Sequence, residues 1–289
     1  MTVTEIPSRI QSLLTLRHPQ PRAMPSLKNL GAIFSRTLQD AIAKSAEKAW
    51  LILATCTILS ANMPQALVYL YHFATRDDPE NGATRCASEE ALDKAADMRE
   101  AILKGIIFVG MPRTILCMAS LHDSIEDDVK SNLRKLTLRA MTRDNVEDMS
   151  ARGKAMNDSI YNPGADEVRA RMSSYHPDFA DVIIQSYATT LAPLPGGDEV
   201  QGNLNRALTS VVAVACLRAE GGVGELLNGH ILGLLRAREV PGLDAGNYWL
   251  ASDEGTEWVL RTVDAILDVV KPDLKEGSEP MQRDGSGKE

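Results

Sequence analysis

Aromatic side chains are scarce in this chain of 289 residues, where Phe, Trp and Tyr together make up 4%. A β-sandwich fills its pleated faces with Thr, Tyr and Trp, so this scarcity points instead to helices packed through Ala, Leu, Val and Ile, and to an all-α fold. No cluster of Lys and Arg occurs, and the net charge is −8. A phosphate backbone calls for a basic face, so no nucleic-acid partner is expected. The longest apolar runs, near Trp50–Leu59 and Val211–Leu217, fall far short of the ~20 residues that cross a bilayer, so no membrane span is expected. Cys56, Cys86, Cys117 and Cys216 form neither a CxxC nor a metal-ligand pair, which excludes a disulfide framework and a zinc site and implies a reducing compartment. The cytoplasm is the expected location. A mitochondrial one is the alternative, because residues 1–38 hold Arg9, Arg17, Arg22, Lys28 and Arg36 against the single acid Glu5.

Familiar catalytic and cofactor signatures are missing as well. There is no Ser-His-Asp spacing, no HExxH and no haem or flavin fingerprint. Gly221-Gly222-Val223-Gly224 opens a helix, but no strand precedes it and no Lys-Ser/Thr follows, so it is not a phosphate-binding loop. Neither a cofactor nor a metal is expected.

What is present centres on Arg99–Leu121, which begins amphipathic, becomes almost wholly apolar, breaks at Gly110-Met111-Pro112 and resumes. Ile102, Ile106 and Val109 fall at helical spacing. Gly110 suits the end of one helix and Pro112 the first turn of the next. Arg113 is the only charge between Lys104 and His122, and beside an apolar corner it either snorkels to water or meets an anion.

Around this corner the chain divides into five stretches. Residues 1–26 read as a flexible arm with one short helix over 8–16, and 27–121 as a first helical unit. Residues 122–177 read as a polar linker with surface helices, 178–271 as a second helical unit, and 272–289 as a disordered tail. The two units repeat one order: an apolar helix with a Cys (Cys56, Cys216), a Pro- or Gly-bearing turn, then a helix carrying a lone His (His72, His230).

The run EAILKGIIFVGMPRT, from Glu100 to Thr114, resembles the signature of the carboxymuconolactone decarboxylase-like, or alkyl hydroperoxidase D-like (AhpD-like), superfamily in its divergent fungal form. That signature is an acidic residue, six to nine others, then hydrophobic-Gly-hydrophobic-Pro. In the second unit, LLNGHILGL after a Gly-Gly turn resembles the superfamily's motif in which a His follows a turn between two helices. The resemblance implies an AhpD-like bundle of two fused repeats, a homo-oligomer, and a proton-relay role for His230. Glu100 holds the superfamily's acidic place. Peroxidase members carry a CxxC just before the His. Here Val223 and Leu226 take those places, so thiol peroxidase chemistry is not expected.

Each candidate has a bland alternative. His230 is either a general acid or base or a hydrogen-bonded core histidine, and His72, with Tyr71 beside it, repeats the choice. Glu100 is either catalytic or one half of an i,i+4 surface pair with Lys104. Cys216 substitutes for the missing thiols only if it reaches His230. The leading expectation is a cofactor-independent lyase or isomerase acting on a small carbonyl- or carboxylate-bearing molecule, by decarboxylation, isomerisation or cyclisation; the resemblance implies a place in fungal natural-product biosynthesis. In it His230, His72 and Glu100 move protons while Arg113, Tyr71 and Asn228 bind substrate. The rivals are a non-catalytic protein that kept the fold and a redox protein using Cys117 or Cys216.

Overall fold

The computed structural model describes residues 6–16 and 23–272. Parts of the expected arm (1–5 and 17–22) and the expected tail from 273 onward lie outside the described residues. Fourteen α-helices are present among the described residues, and the strand-like pairing there is one isolated bridge between Arg76 and Arg85. The fold is all-α.

Helix α1 (Ser8–Leu16) exposes its side chains as far as Leu14. Helix α2 (Leu27–Ile42) begins where the Ser26 hydroxyl accepts the Asn29 N–H at 3.2 Å, satisfying a donor the helix leaves free. A residue at positive φ, Ser45 at 52°, turns the chain into α3 (Glu47–Ser60), which is buried at every position from Ala49 onward. Pro64 sits in the first turn of α4 (Pro64–Thr75), where its missing N–H leaves nothing unsatisfied. Helix α5 (Ser88–Val109) ends at Gly110, whose φ of 81° is left-handed, and α6 (Met111–Ser124) starts at once with Pro112 in its first turn. The helix-corner-helix expected around Gly110 is therefore present.

Short α7 (Asp127–Asn132) leads to α8 (Val146–Tyr161), α9 (Ala165–Tyr175) and α10 (Phe179–Ser186). The segment 122–177 is more than surface helices: Met149, Gly153, Met156, Asn157 and Ile160 of α8 are buried. Helix α10 passes into a π turn, Tyr187–Leu191, closed by the Ala192 N–H donating to the Tyr187 carbonyl at 2.8 Å. Helix α8 lies so close to this region that a Cβ on Gly153 would stand 2.4 Å from the Ile184 carbonyl oxygen and 2.7 Å from the Ala188 Cβ.

Helix α11 (Arg206–Glu220) starts with the Asn205 side chain accepting the Leu208 N–H, and all of it except Arg218 and Glu220 is buried. Helix α12 (Gly224–Arg236) follows Gly221 and Gly222, both at positive φ. Helices α13 (Ala245–Leu250) and α14 (Asp253–Val270) complete the chain. The principal core draws on α2–α7, α11, α12 and α14 together. At its centre α3, α5 and α11 meet. The Cys56 thiol donates to the Ala101 carbonyl at 3.9 Å, and a Cβ at Gly105 would lie 2.5 Å from Leu59 Cδ2 and 3.5 Å from Cys216 Sγ.

Candidate functional site

A cavity of about 1010 Å³ opens where α8, α9, α10, the π turn and α12 converge. Its walls are mainly aliphatic and aromatic, among them Phe108, Met172, Ile183 and Leu217. His230, Tyr161, Tyr187, Asn157, Asn228 and Ser186 supply the neutral polar groups.

His230 is 4% exposed. The edge-on ring of Phe108, 5.4 Å away at 90°, fixes one side of the imidazole. Nε2 lies 3.3 Å from the Tyr161 hydroxyl, which in turn lies 3.5 Å from the Tyr187 hydroxyl. Both contacts are long for hydrogen bonds. Nδ1 is buried and has no partner in the protein. Burial holds the His230 pKa down at about 4, and the Arg206 guanidinium pushes the same way, so the ring is neutral at physiological pH. Burial likewise raises both tyrosines, which stay phenols.

Arg206 stands behind this wall and is 6% exposed. It donates to Ser159 Oγ at 2.7 Å, to the Ser159 and Gly233 carbonyls at 3.0 and 2.9 Å, and to Ser210 Oγ. All these acceptors are neutral. Its cation is held by hydrogen bonds and by no carboxylate among them.

The other expected residues lie elsewhere, apart from Asn228, which shares the His230 cavity. Glu100 borders a second, smaller cavity with Arg99, Arg134 and Gln201. The bland reading of Glu100 as half of a surface pair is corrected: Glu100 is 5% exposed and Lys104 fully buried. The Glu100 carboxylate takes Arg139 as its close partner and lies 3.7 Å from Lys104 Nζ. Lys104 then donates to the carbonyls of Thr190, Leu191 and Ala192 at 3.2, 2.6 and 3.2 Å. A buried lysine, its pKa lowered by burial to about 7, thus caps the end of the π turn that carries Tyr187.

Arg113 meets an anion, one that the protein itself supplies. It donates to the Ser60 carbonyl at 3.1 Å and pairs with Glu220, itself a lining residue of the large cavity. Fully buried Tyr71 donates to Glu126 at 2.7 Å, and Arg76 holds the same carboxylate at 3.0 Å. His72 is half-buried, with its pKa lowered by burial and then by Arg76, and lines neither cavity. Glu100, Arg113 and a histidine therefore do not share one pocket. Three of the four thiols are enclosed: Cys56, Cys117 and Cys216 have no exposed surface, and burial pushes Cys117 up to about 12 and Cys56 well above its ordinary value, while Cys86 is partly exposed.

Sequence reading missed Tyr161, Tyr187, Phe108 and Arg206. A signal existed for the last, since Arg206 is the only charge from Asn205 to Leu217. A lone charge opening a buried helix needs internal partners. Comparison of the chain with family models, with curated proteins and with solved structures found no match.

Proposed function

We propose that this protein is a cofactor-independent enzyme of small-molecule chemistry, binding a carbonyl- or carboxylate-bearing compound in the α8–α10–α12 cavity and moving a proton there by decarboxylation, isomerisation or cyclisation. The observation that carries this reading is His230: a buried, neutral imidazole on the cavity wall, hydrogen-bonded through Nε2 to Tyr161 and left with an unpartnered Nδ1. Nδ1 itself has almost no accessible surface, so what a ligand meets under this reading is the Tyr161–His230 pair on the cavity wall. The resemblance of Glu100–Thr114 and of the His230 motif to the carboxymuconolactone decarboxylase-like superfamily supports the same assignment. It also supports self-association, for which the exposed Met111, Ile115 and Leu116 of α6 offer an apolar face.

Under this reading His230 and Tyr161 are the catalytic groups, Asn228 contacts substrate, and Glu100 acts at a distance through Lys104. Thiol peroxidase chemistry is disfavoured by the enclosure of three cysteines. A non-catalytic binding protein is the second reading, favoured by the apolar lining and by the placement of Glu100 outside the cavity. Incubation in D₂O with a panel of enolisable ketones and β-keto acids, followed by NMR, separates the two. The enzyme reading expects deuterium incorporation or CO₂ release that His230→Gln and Tyr161→Phe reduce at least tenfold. Ligands that bind without exchange or decarboxylation leave the binding-protein reading in its place.

A further inference from the structure

The smaller cavity shares no lining residue with the one that holds His230. Its volume is about 250 Å³, several times the share of about 30 Å³ that one water takes in the liquid. Arg99, Glu100 and Leu103 of α5, Met118 of α6, Arg134 from the stretch after α7 and Gln201 from the stretch before α11 border it. Glu100 is the one carboxylate on this wall, and Arg139 and Lys104 already attend it.

The two arginines of the pocket have no such partner among the described residues. Arg134 Nη1 donates to the Leu136 carbonyl at 2.6 Å. Its backbone N–H donates to Gln201 Oε1 at 2.7 Å, and Gln201 Nε2 donates to the Asn132 carbonyl at 3.2 Å. These bonds fix the Arg134 stretch without neutralising its cation. Arg99 makes no hydrogen bond among the described residues. It is half-buried, and its pKa is lowered by burial and then by Arg134, with Glu100 acting the other way. The two guanidinium groups are thus close enough to repel each other, and an arginine keeps its charge at any physiological pH.

Accessibility separates the atoms a ligand can meet from those it cannot. Arg134 Nε is enclosed and offers nothing to a ligand. Arg134 Nη2 and the Arg99 side-chain nitrogens are unpartnered and are not enclosed in that way. Two sets of free N–H donors therefore open on one pocket, in a chain whose net charge is −8. Like charges held side by side are unfavourable until an anion comes between them. A carboxylate offsets one of the two charges. A phosphate dianion offsets both, and its several oxygens can accept from a guanidinium on each side.

We propose that this pocket binds a phosphoryl group, clamped between Arg99 and Arg134 and carried by inorganic phosphate or by a small phosphate monoester whose remainder packs on Leu103 and Met118. The site is distinct from the His230 cavity, and the inference stands independently of the proposed function.

Calorimetry on the full-length protein at pH 7.5 and constant ionic strength tests this with inorganic phosphate, phenyl phosphate and benzoate. Wild type is expected to bind a single equivalent of phenyl phosphate at least tenfold more tightly than benzoate. Arg99→Gln and Arg134→Gln are each expected to weaken phenyl phosphate at least tenfold. Arg99→Lys, which keeps the charge and loses the fork, is expected to weaken it less. Arg171→Gln, at the His230 cavity, is expected to change nothing. Equal affinity for the two phosphates assigns the free ion, and a tighter ester assigns the monoester. Thermal unfolding gives a second readout. Without phosphate either Gln variant should unfold at or above the wild-type midpoint, because it relieves a repulsion, and phosphate should raise the midpoint of wild type alone. If Arg99→Gln fails to fold, Arg134→Gln, in an irregular stretch, carries the same test. A lowered midpoint in both Gln variants without phosphate makes the arginines structural and overturns the inference. So does the absence of phosphate binding, benzoate bound as tightly as phenyl phosphate, or an affinity that neither pocket variant changes.

Discussion

Acidification should weaken this protein through His230 in a way that one substitution removes. The perturbation is a pH series from 7.5 to 4.5. Burial holds the folded-state pKa at about 4, whereas the unfolded chain returns the imidazole to about 6.5. Between these values the unfolded state binds the extra proton, so the stability of the folded state falls as pH drops through about 6.5 and levels off below about 4. Above 6.5 both states are neutral at this site and its contribution does not change. At about 1.4 kcal/mol for each tenfold change in proton affinity, the loss by pH 4.5 is about 2.5 kcal/mol. Carboxylates with depressed pKa values, such as those of Asp40, Glu126 and Asp158, also withdraw stability on acidification. They are common to wild type and His230→Gln, so the difference between the two curves isolates the histidine. Urea unfolding at each pH, with equal m-values as the check on two-state behaviour, supplies the measurement. Wild type should lose about 2.5 kcal/mol more than His230→Gln between pH 7.5 and 4.5. Parallel curves would refute a buried neutral imidazole.

Two further substitutions test what positions this wall. Lys104→Met removes the donor to three π-turn carbonyls and one partner of the buried Glu100; it should cost about 3 kcal/mol in urea unfolding at pH 6.0, and a loss under 1 kcal/mol would show that the cap is dispensable. Gly153→Ala would ordinarily favour a helix interior. Here its Cβ would press on the Ile184 carbonyl and Ala188, so it should destabilise by about 2 kcal/mol in the same assay, and a stabilised variant would contradict the close approach of α8 to the π turn.

The parts of the fold that were legible in the sequence carry their signal locally. Pro64 and Pro112 mark first turns because a missing N–H is harmless there. Gly110 marks a helix end because its φ of 81° suits few other residues. Helices α3 and α11 are apolar on every side, and such helices belong in the centre. The spacing Met149, Gly153, Met156, Ile160 is that of a buried helical stripe, but the polar residues around it make the same stretch read as a linker. The break at Ser45 between α2 and α3 carries no Gly or Pro, and the periodicity runs through it.

The site was less legible because its decisive contacts join residues far apart in the chain. An i,i+4 Glu–Lys pair looks the same in sequence whether it lies in water or under another element. Glu100 and Lys104 are buried because the π turn, nearly ninety residues later, settles its carbonyls on the lysine. The same geometry gives Glu100 a role that its motif position does not suggest. Its carboxylate offsets the buried charges of Lys104 and Arg139, Lys104 fixes the π turn, and the π turn presents Tyr187 to Tyr161 and so to His230. Under the proposed function, Glu100 is therefore a positioning residue and proton chemistry falls to neutral groups whose pKa values burial has pushed apart: His230 downward and both tyrosines upward. That separation keeps all three uncharged at physiological pH. Under the proposed function, such a wall offers its protons without carrying charge of its own, and the one uncompensated charge behind it is the cation of Arg206, which favours negative charge that develops on a bound substrate.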